Sequence, residues 1–189
     1  SVTIADGKAS GNAGNVLGGG MADLLLIASG DDVVFVPVGP GVRVDVPANL
    51  DPTRRTARVE LEDAPATVLP GARRVLVDLA RLLLAAEAAG MARECTEMAA
   101  DYAKERIQFG RPIATFQAVK HHCANMVVAT ELATGNVWDA ARTDAGTDAF
   151  SAAAAAAATL AIPAADLCAQ LNIQVHGGIG FTWEHDAHM

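Results

Sequence analysis

The sequence predicts an α+β protein. A partial antiparallel β domain over residues 1–70 is followed by an all-α antiparallel helix bundle over residues 71–189. Three observations carry that reading. Short runs with apolar residues at every second position occupy the first third of the chain, and period two marks a half-buried strand. From Gly71 onward the apolar spacing changes to three and four, the period of a helix face. A chain that is 51% hydrophobic but only 4% aromatic builds its core from Ala, Leu and Val, which suits close-packed helices better than an aromatic-rich sandwich.

In the β part, Leu24-Leu25-Leu26-Ile27-Ala28 and Val33-Val34-Phe35-Val36-Pro37-Val38 flank Ser29-Gly30-Asp31-Asp32, the pattern of a hairpin. Val42, Val44 and Val46 alternate with Arg43 and Asp45, and Ala57-Arg58-Val59-Glu60-Leu61 repeats the alternation. Gly7 to Gly20 holds six glycines, which argues against a regular strand there. About five strands are expected in all. The first strand signal begins at residue 2, so the β part reads as incomplete, as though the chain started midway through a domain.

In the helical part, Leu76, Leu79, Leu83, Ala86 and Gly90 mark one face of a helix expected from about Arg73 to Gln108. At 1.5 Å per residue it is roughly 50 Å long. Ala85, Ala86, Ala88, Ala89 and Gly90 are small enough to let a neighbouring helix approach. Phe116, Val119, Cys123, Met126, Thr130, Ala133 and Val137 repeat the three-four step in a second helix. After a break at Thr143-Asp144-Ala145-Gly146-Thr147-Asp148, the tract Ala152 to Ala158 opens a third helix of high intrinsic propensity. Pro163 lies inside that helix and is expected to kink it, with Leu167 and Leu171 continuing the seam beyond.

Bulk properties exclude several function classes. The net charge of −8 argues against nucleic acid, because phosphate recognition needs clustered Lys and Arg. Cys95, Cys123 and Cys168 are widely spaced in apolar helical pattern and read as small hydrophobes of a reducing compartment. The most apolar run, Ser151 to Ile162, is mostly alanine and is interrupted at Pro163, so no membrane span is expected. Ser1-Val2-Thr3-Ile4-Ala5-Asp6 has neither a basic start nor an apolar h-region. A cytoplasmic location is expected.

Two stretches carry candidate chemistry. Tyr102 to Gln117 reads as a helix end, a tight corner at Gly110 and Pro112, and the start of the next helix, with Thr115 as its N-cap. The bland reading of Arg106 is a cation at a helix C-terminus. The functional one is a clamp on pyrophosphate oxygens, with Phe109 lying against a planar ring. In Gln174-Val175-His176-Gly177-Gly178-Ile179-Gly180-Phe181-Thr182, glycines would let backbone amides approach a ligand closely. This is not the dinucleotide fingerprint, since a helix and not a strand precedes it. A third stretch, Trp183-Glu184-His185-Asp186-Ala187-His188, does not match a common metal-ligand spacing, and no metal is expected there or at His121-His122. No Ser or Cys nucleophile with a base stands out.

Arg106-Ile107-Gln108-Phe109-Gly110-Arg111-Pro112-Ile113, then Phe116-Gln117, and later Gln174 to Asp186, together resemble the C-terminal half of an acyl-CoA dehydrogenase. The similarity extends back through Asp51-Pro52-Thr53-Arg54-Arg55 and Ala22-Asp23-Leu24-Leu25-Leu26 into that family's middle β domain. It is greatest to the actinobacterial-type members with Trp-Glu-His-Asp after the glycine corner. The resemblance implies α,β-dehydrogenation of an acyl-CoA thioester, with FAD as cofactor and an electron-transfer acceptor downstream. It implies that Arg106, Gln108, Phe109, Gln117, Gln174, Gly177 and Gly178 bind FAD at its pyrophosphate and adenosine end, across a dimer or tetramer interface.

Some family features are missing. Asn15-Val16-Leu17-Gly18-Gly19 stands where relatives have an aromatic and a hydroxyl beside the flavin. One family position for the catalytic glutamate reads Ala80, and the other would lie past Met189, so no catalytic residue is assigned. The chain alone is therefore expected not to turn over. The alternatives are a non-catalytic subunit, in a homo- or hetero-oligomer, that completes the FAD site of an active paralogue, or a helical module without flavin.

Overall fold

The computed structural model describes residues 2–49 and 51–186 and divides the chain into two compact units, 1–76 and 77–189. In the first unit, strands β1 (Val2–Ala5), β2 (Lys8–Val16), β6 (Ala57–Pro65) and β5 (Val42–Asp45) form a sheet in the order β1-β2-β6-β5. Strands β3 (Leu24–Ser29), β4 (Asp32–Pro37) and β7 (Thr67–Leu69) form a second sheet in the order β3-β4-β7. All pairings within both sheets are antiparallel. Alternation decides which faces meet. Ala57, Val59 and Leu61 of β6 are buried while Arg58, Glu60 and Glu62 are exposed. Val59 and Leu61 join Leu25 of β3 and Val34 and Val36 of β4 in one apolar layer between the sheets, the arrangement expected of two packed sheets.

The glycine-rich stretch departs from expectation. Lys8–Val16 is a nine-residue strand, not an irregular loop. Its register with β6 shifts between Ala9 and Gly11 and again between Asn12 and Gly14. Gly11 (φ 126°) and Gly14 (φ 82°) adopt the positive φ values there that a side chain resists. The glycines thus permit bulges within a strand and do not abolish it.

The second unit is built on α1 (Arg73–Glu105, which begins within the first unit), α2 (Gln117–Ala141) and α3 (Asp148–His176). Thr147 caps α3, its hydroxyl accepting the Phe150 N–H at 3.1 Å. Their core is largely alanine: Ala85, Ala88, Ala92 and Ala99 of α1, Ala133 and Ala140 of α2, and Ala157, Ala161 and Ala164 of α3. Met126 and Cys168 fill the spaces between them. The stripe predicted on α2 faces this core, with Met126, Thr130 and Ala133 buried. On α1 the two expectations part. Leu79, Leu83, Ala86 and Gly90 are exposed, Leu83 at 69%, whereas Ala85, Ala88 and Ala89, three of the small residues expected to admit a neighbouring helix, are buried. The three-four step on α1 reports an apolar face that this bundle does not use. Leu167 is likewise exposed, and Cys168 takes the seam.

Polar groups tie the helices at two levels. Buried Asp78 of α1 accepts hydrogen bonds from the Ser151 hydroxyl of α3 and from Arg81 at 2.9 Å. Farther along, the Thr96 and Thr130 hydroxyls lie 3.0 Å apart, each 3.7 Å from the Cys168 thiol. The three cysteines are free, and burial pushes the Cys95 and Cys123 thiols up. Pro163 is exposed and does not end α3, so the apolar run is longer than the sequence suggested. By length and composition alone, Asp148–Phe181 is long and apolar enough to cross a membrane. Its buried residues belong to the bundle core.

A core of alanine leaves no room for a larger side chain. Replacing Ala92, which is fully buried, with Leu should destabilise the protein by about 1–3 kcal/mol. Urea denaturation of A92L measures it.

Candidate functional site

The site begins where α1 ends. The helix stops at Glu105, short of the predicted Gln108, and the chain turns through a small hairpin, not a helix C-cap. Its strands, β8 (Ile107–Gln108) and β9 (Arg111–Pro112), pair Gln108 with Arg111. The two turn residues, Phe109 (φ 52°) and Gly110 (φ 75°), both lie in the left-handed region, the backbone of a tight two-residue turn. Glycine takes that conformation freely, whereas a bulky residue does so only under strain. The strained turn presents Phe109 almost wholly to solvent, 91% exposed, its ring edge-on to Phe116 at 6.0 Å. The Arg111 guanidinium sits 4.3 Å from the centre of the Phe116 ring. Thr115 does not cap α2 as expected. Its hydroxyl donates to the Pro112 carbonyl at 2.7 Å, and Phe116 occupies the cap position without a side-chain bond.

The second stretch follows α3. Gly177 (φ 65°) ends the helix, its N–H donating to the Gln174 and Ile173 carbonyls, and the chain winds through a 3-10 turn at Gly177–Phe181. Three glycines here answer to different constraints. Gly177 needs its positive φ. A Cβ on Gly180 would lie 2.8 Å from the His176 Cβ and 2.9 Å from the Ile173 carbonyl oxygen. Gly178 has neither problem, and a Cβ there would meet nothing within 4 Å. Packing does not explain it, and open space beside its backbone is what a closely approaching ligand requires.

The two stretches, about 70 residues apart in sequence, meet in one groove of about 430 Å³. Arg106 and Gln108 of the first stretch and His176, Gly177 and Gly178 of the second line it, together with Tyr102 and Ile113. In a chain with 22 acidic residues, the described residues of this wall include a guanidinium and no carboxylate. One fixed cation, an amide and an open glycine backbone form a donor set for an anionic, partly planar ligand. Phe109, Gln117 and Gln174 do not line the groove. Gln117 is exposed with its amide 3.2 Å from the His121 ring, and Gln174 projects from the last turn of α3.

Two residues of this corner are absent from the predicted binding set. His176 is buried, its Nδ1 lies 2.8 Å from the Asn172 carbonyl oxygen, and its ring stacks on Tyr102 at 4.2 Å. Burial lowers its pKa from 6.5, the Asn172 carbonyl opposes this, and the nearby His185 lowers it further. The signal was its place directly before Gly177, yet a histidine there reads equally well as a helix terminus. His185 packs against His176 at 4.3 Å between ring centres. His188 lies outside the described residues. Glu184 is fully exposed, and hydrogen bonding from Thr182 holds its carboxyl below the usual value. A general base near neutral pH needs the opposite tuning.

Glycine substitutions separate the constraints. G180A and G177A should each destabilise the protein by about 1–2 kcal/mol, from steric conflict and left-handed strain respectively. G178A should stay within about 0.5 kcal/mol of the parent. Thermal or urea unfolding of the three variants checks this ordering.

A family model for the acyl-CoA dehydrogenase C-terminal domain matches residues 72–189. The chain is 46% identical over 184 residues to acyl-CoA dehydrogenase FadE34 of Mycobacterium tuberculosis, covering 96% of this chain and 26% of that protein. It is 43% identical over 143 residues to acyl-CoA dehydrogenase IpdE2 of the same organism, covering 75% of this chain and 42% of that one. Its fold superposes on a steroid ACAD variant with a TM-score of 0.84 at 28% identity, over 99% of this chain and 54% of the other. The chain thus spans between a quarter and about half the length of these relatives. With the family's C-terminal domain matched over more than half of its 189 residues, this chain belongs to the acyl-CoA dehydrogenase family.

Proposed function

We propose that this chain contributes its helical domain (71–189) and part of a β domain (1–70) to an FAD-dependent enzyme that removes hydrogen from the α- and β-carbons of an acyl-CoA thioester. The observation that carries the reading is the groove joining Arg106 and Gln108 to Gly177 and Gly178. Its chemistry fits the anionic end of FAD. Arg106 would bind the pyrophosphate bidentately, Gln108 would hydrogen-bond beside it, and the open backbone at Gly178 would admit the dinucleotide. When bound, FAD supplies an acceptor for the β-hydride. Electrons then pass to a separate acceptor protein.

The remaining members of the predicted set, Phe109, Gln117 and Gln174, do not line the groove and are exposed to solvent. That placement supports contact with a cofactor held on a second subunit. Exposed apolar side chains on all three helices, among them Leu83, Leu84, Val128, Leu132 and Ile162, support an oligomer, since apolar surface on this scale marks interfaces. No catalytic base is assigned to this chain. Ala80 is exposed on α1 and carries only a methyl group, and Glu184 is tuned as a carboxylate. A non-catalytic role gains no support from the relatives, which are named as dehydrogenases.

The test of the site is FAD retention. R106A should lose about 10- to 100-fold in FAD affinity, the worth of a hydrogen-bonded pair to a charged group, and R106K should recover only part of it. Unchanged flavin content after gel filtration would overturn the assignment. Turnover is then assayed in the full-length enzyme with a panel of acyl-CoA thioesters that includes a steroid acyl-CoA, since one structural relative is a steroid ACAD. The test of assembly is sedimentation. The parent chain should run as a dimer or tetramer at micromolar concentration, and L83E, at an exposed position, should shift it toward monomer without unfolding it.

A further inference from the structure

Three rings meet beside the groove, each from a different part of the chain, and two of them, Tyr102 and His176, line it. Tyr102 comes from the last turn of α1, His176 from the last turn of α3, and His185 from the segment after the 3-10 turn. Tyr102 stacks on His176 at 4.2 Å with an interplanar angle of 28°, His176 meets His185 at 4.3 Å, and Tyr102 meets His185 edge-on at 6.5 Å. His176 is therefore the shared contact. It is also the residue directly before Gly177, and its Cβ is what a side chain on Gly180 would strike. The histidine is packed into the fold of the glycine corner itself.

We propose that His176 is a positioning residue that holds the Gly177–Gly180 corner against Arg106 while neutral, and that its protonation loosens the corner. This rests on the reading of the groove as the FAD site. The Asn172 carbonyl can only accept, so the Nδ1 at 2.8 Å carries the proton. A second proton must go to Nε2, in a ring 5% exposed and beside a second imidazole. Burial and the His185 charge both disfavour the cation, and the depressed pKa has that direction. The groups that face His176 are Tyr102 of α1, His185 of the following segment, the Asn172 carbonyl of its own helix and, across the groove, the cationic Arg106. Among the described residues, no carboxylate lines the groove wall to stabilise an imidazolium.

The sign follows from linkage. A group whose pKa is lower in the folded state contributes fully above its unfolded value, about 6.5 for histidine. That contribution is lost as pH falls through the folded value. Positioning and direct contact predict opposite trends. A cationic His176 touching a pyrophosphate would tighten binding at low pH, whereas a positioning His176 weakens it.

The experiment has two arms on the intact chain. The first needs no ligand: amide hydrogen exchange at residues 177–182, corrected for intrinsic rates, at pH 7.5 and 5.5. Protection should fall severalfold in the parent, up to a ceiling of about tenfold that an unfolded value near 6.5 sets at pH 5.5. In H176N it should be nearly independent of pH, because the asparagine amide can donate to the Asn172 carbonyl and does not titrate. H185Q, which removes the neighbouring imidazole, should show a smaller fall than the parent. Protection that is equal at both pH values in the parent overturns the proposal. So does a parent-like fall in H176N. The second arm titrates ADP and FAD at both pH values. Affinity should drop with pH in the parent and hold in H176N. Tighter binding of ADP at pH 5.5 would make His176 a direct phosphate contact and overturn the positioning role. A corner that loosens as described while neither ADP nor FAD binds at any pH would leave the positioning role standing and sink the FAD reading.

Discussion

Everything in the helical unit depends on alanine packing against alanine. A buried methyl group brings helices together without large side chains between them, at a packing density that tolerates no added volume. Burial of a whole Leu contributes about 1.5–3 kcal/mol, and a single methyl or methylene about 0.8 kcal/mol. An alanine core therefore stabilises each helix modestly per residue and needs length to succeed. The 33 residues of α1 and 29 of α3 supply it.

The same choice sends the larger apolar residues outward. Leu83, Leu84, Val128, Leu132 and Ile162 are exposed because the interior sites are already filled by smaller groups. Polar groups inside the bundle are correspondingly few and mostly paired. Asp78 is satisfied by Ser151 and Arg81, and the Thr96, Thr130 and Cys168 group satisfies itself at the crossing of three helices. Helix ends carry the remaining polar chemistry. The ends of α1 and α3 come together there, so the candidate site follows from the antiparallel arrangement of the bundle.

Local constraint and candidate function coincide at that end. Phe109 takes a left-handed conformation that a glycine would take more easily, and it is left in solvent. Such strain is retained where something other than folding requires the side chain. Gly178 is the complementary case, a glycine that neither φ nor packing demands. His176 adds a third constraint, its proton placement set by a backbone carbonyl and its cationic form opposed by burial. The groove thus combines an unconstrained glycine and a buried titratable residue with Arg106 and Gln108, and the strained Phe109 stands outside it on the adjoining hairpin turn.

The sequence by itself determined the class, the hairpin at Leu24 to Pro37, the three helices and the two motifs that line the groove. These rest on period, on breaks in period and on residue types with specific chemistry, all local properties. On α1 it marked two faces, the stripe of Leu76, Leu79, Leu83, Ala86 and Gly90 and the small residues at Ala85, Ala88 and Ala89, and only the second is buried. Periodicity reports that a face is apolar, not which partner covers it. It mistook Gly7 to Gly20, because the bulges that accommodate Gly11 and Gly14 arise only from pairing with β6, more than forty residues away. It read the Gly110 corner as a helix cap, though two consecutive left-handed residues pair Gln108 with Arg111 across a hairpin. And it passed over His176 and His185. Their ring contacts with each other and with Tyr102 join residues up to 83 positions apart, a proximity that only the packing of α1 against α3 creates.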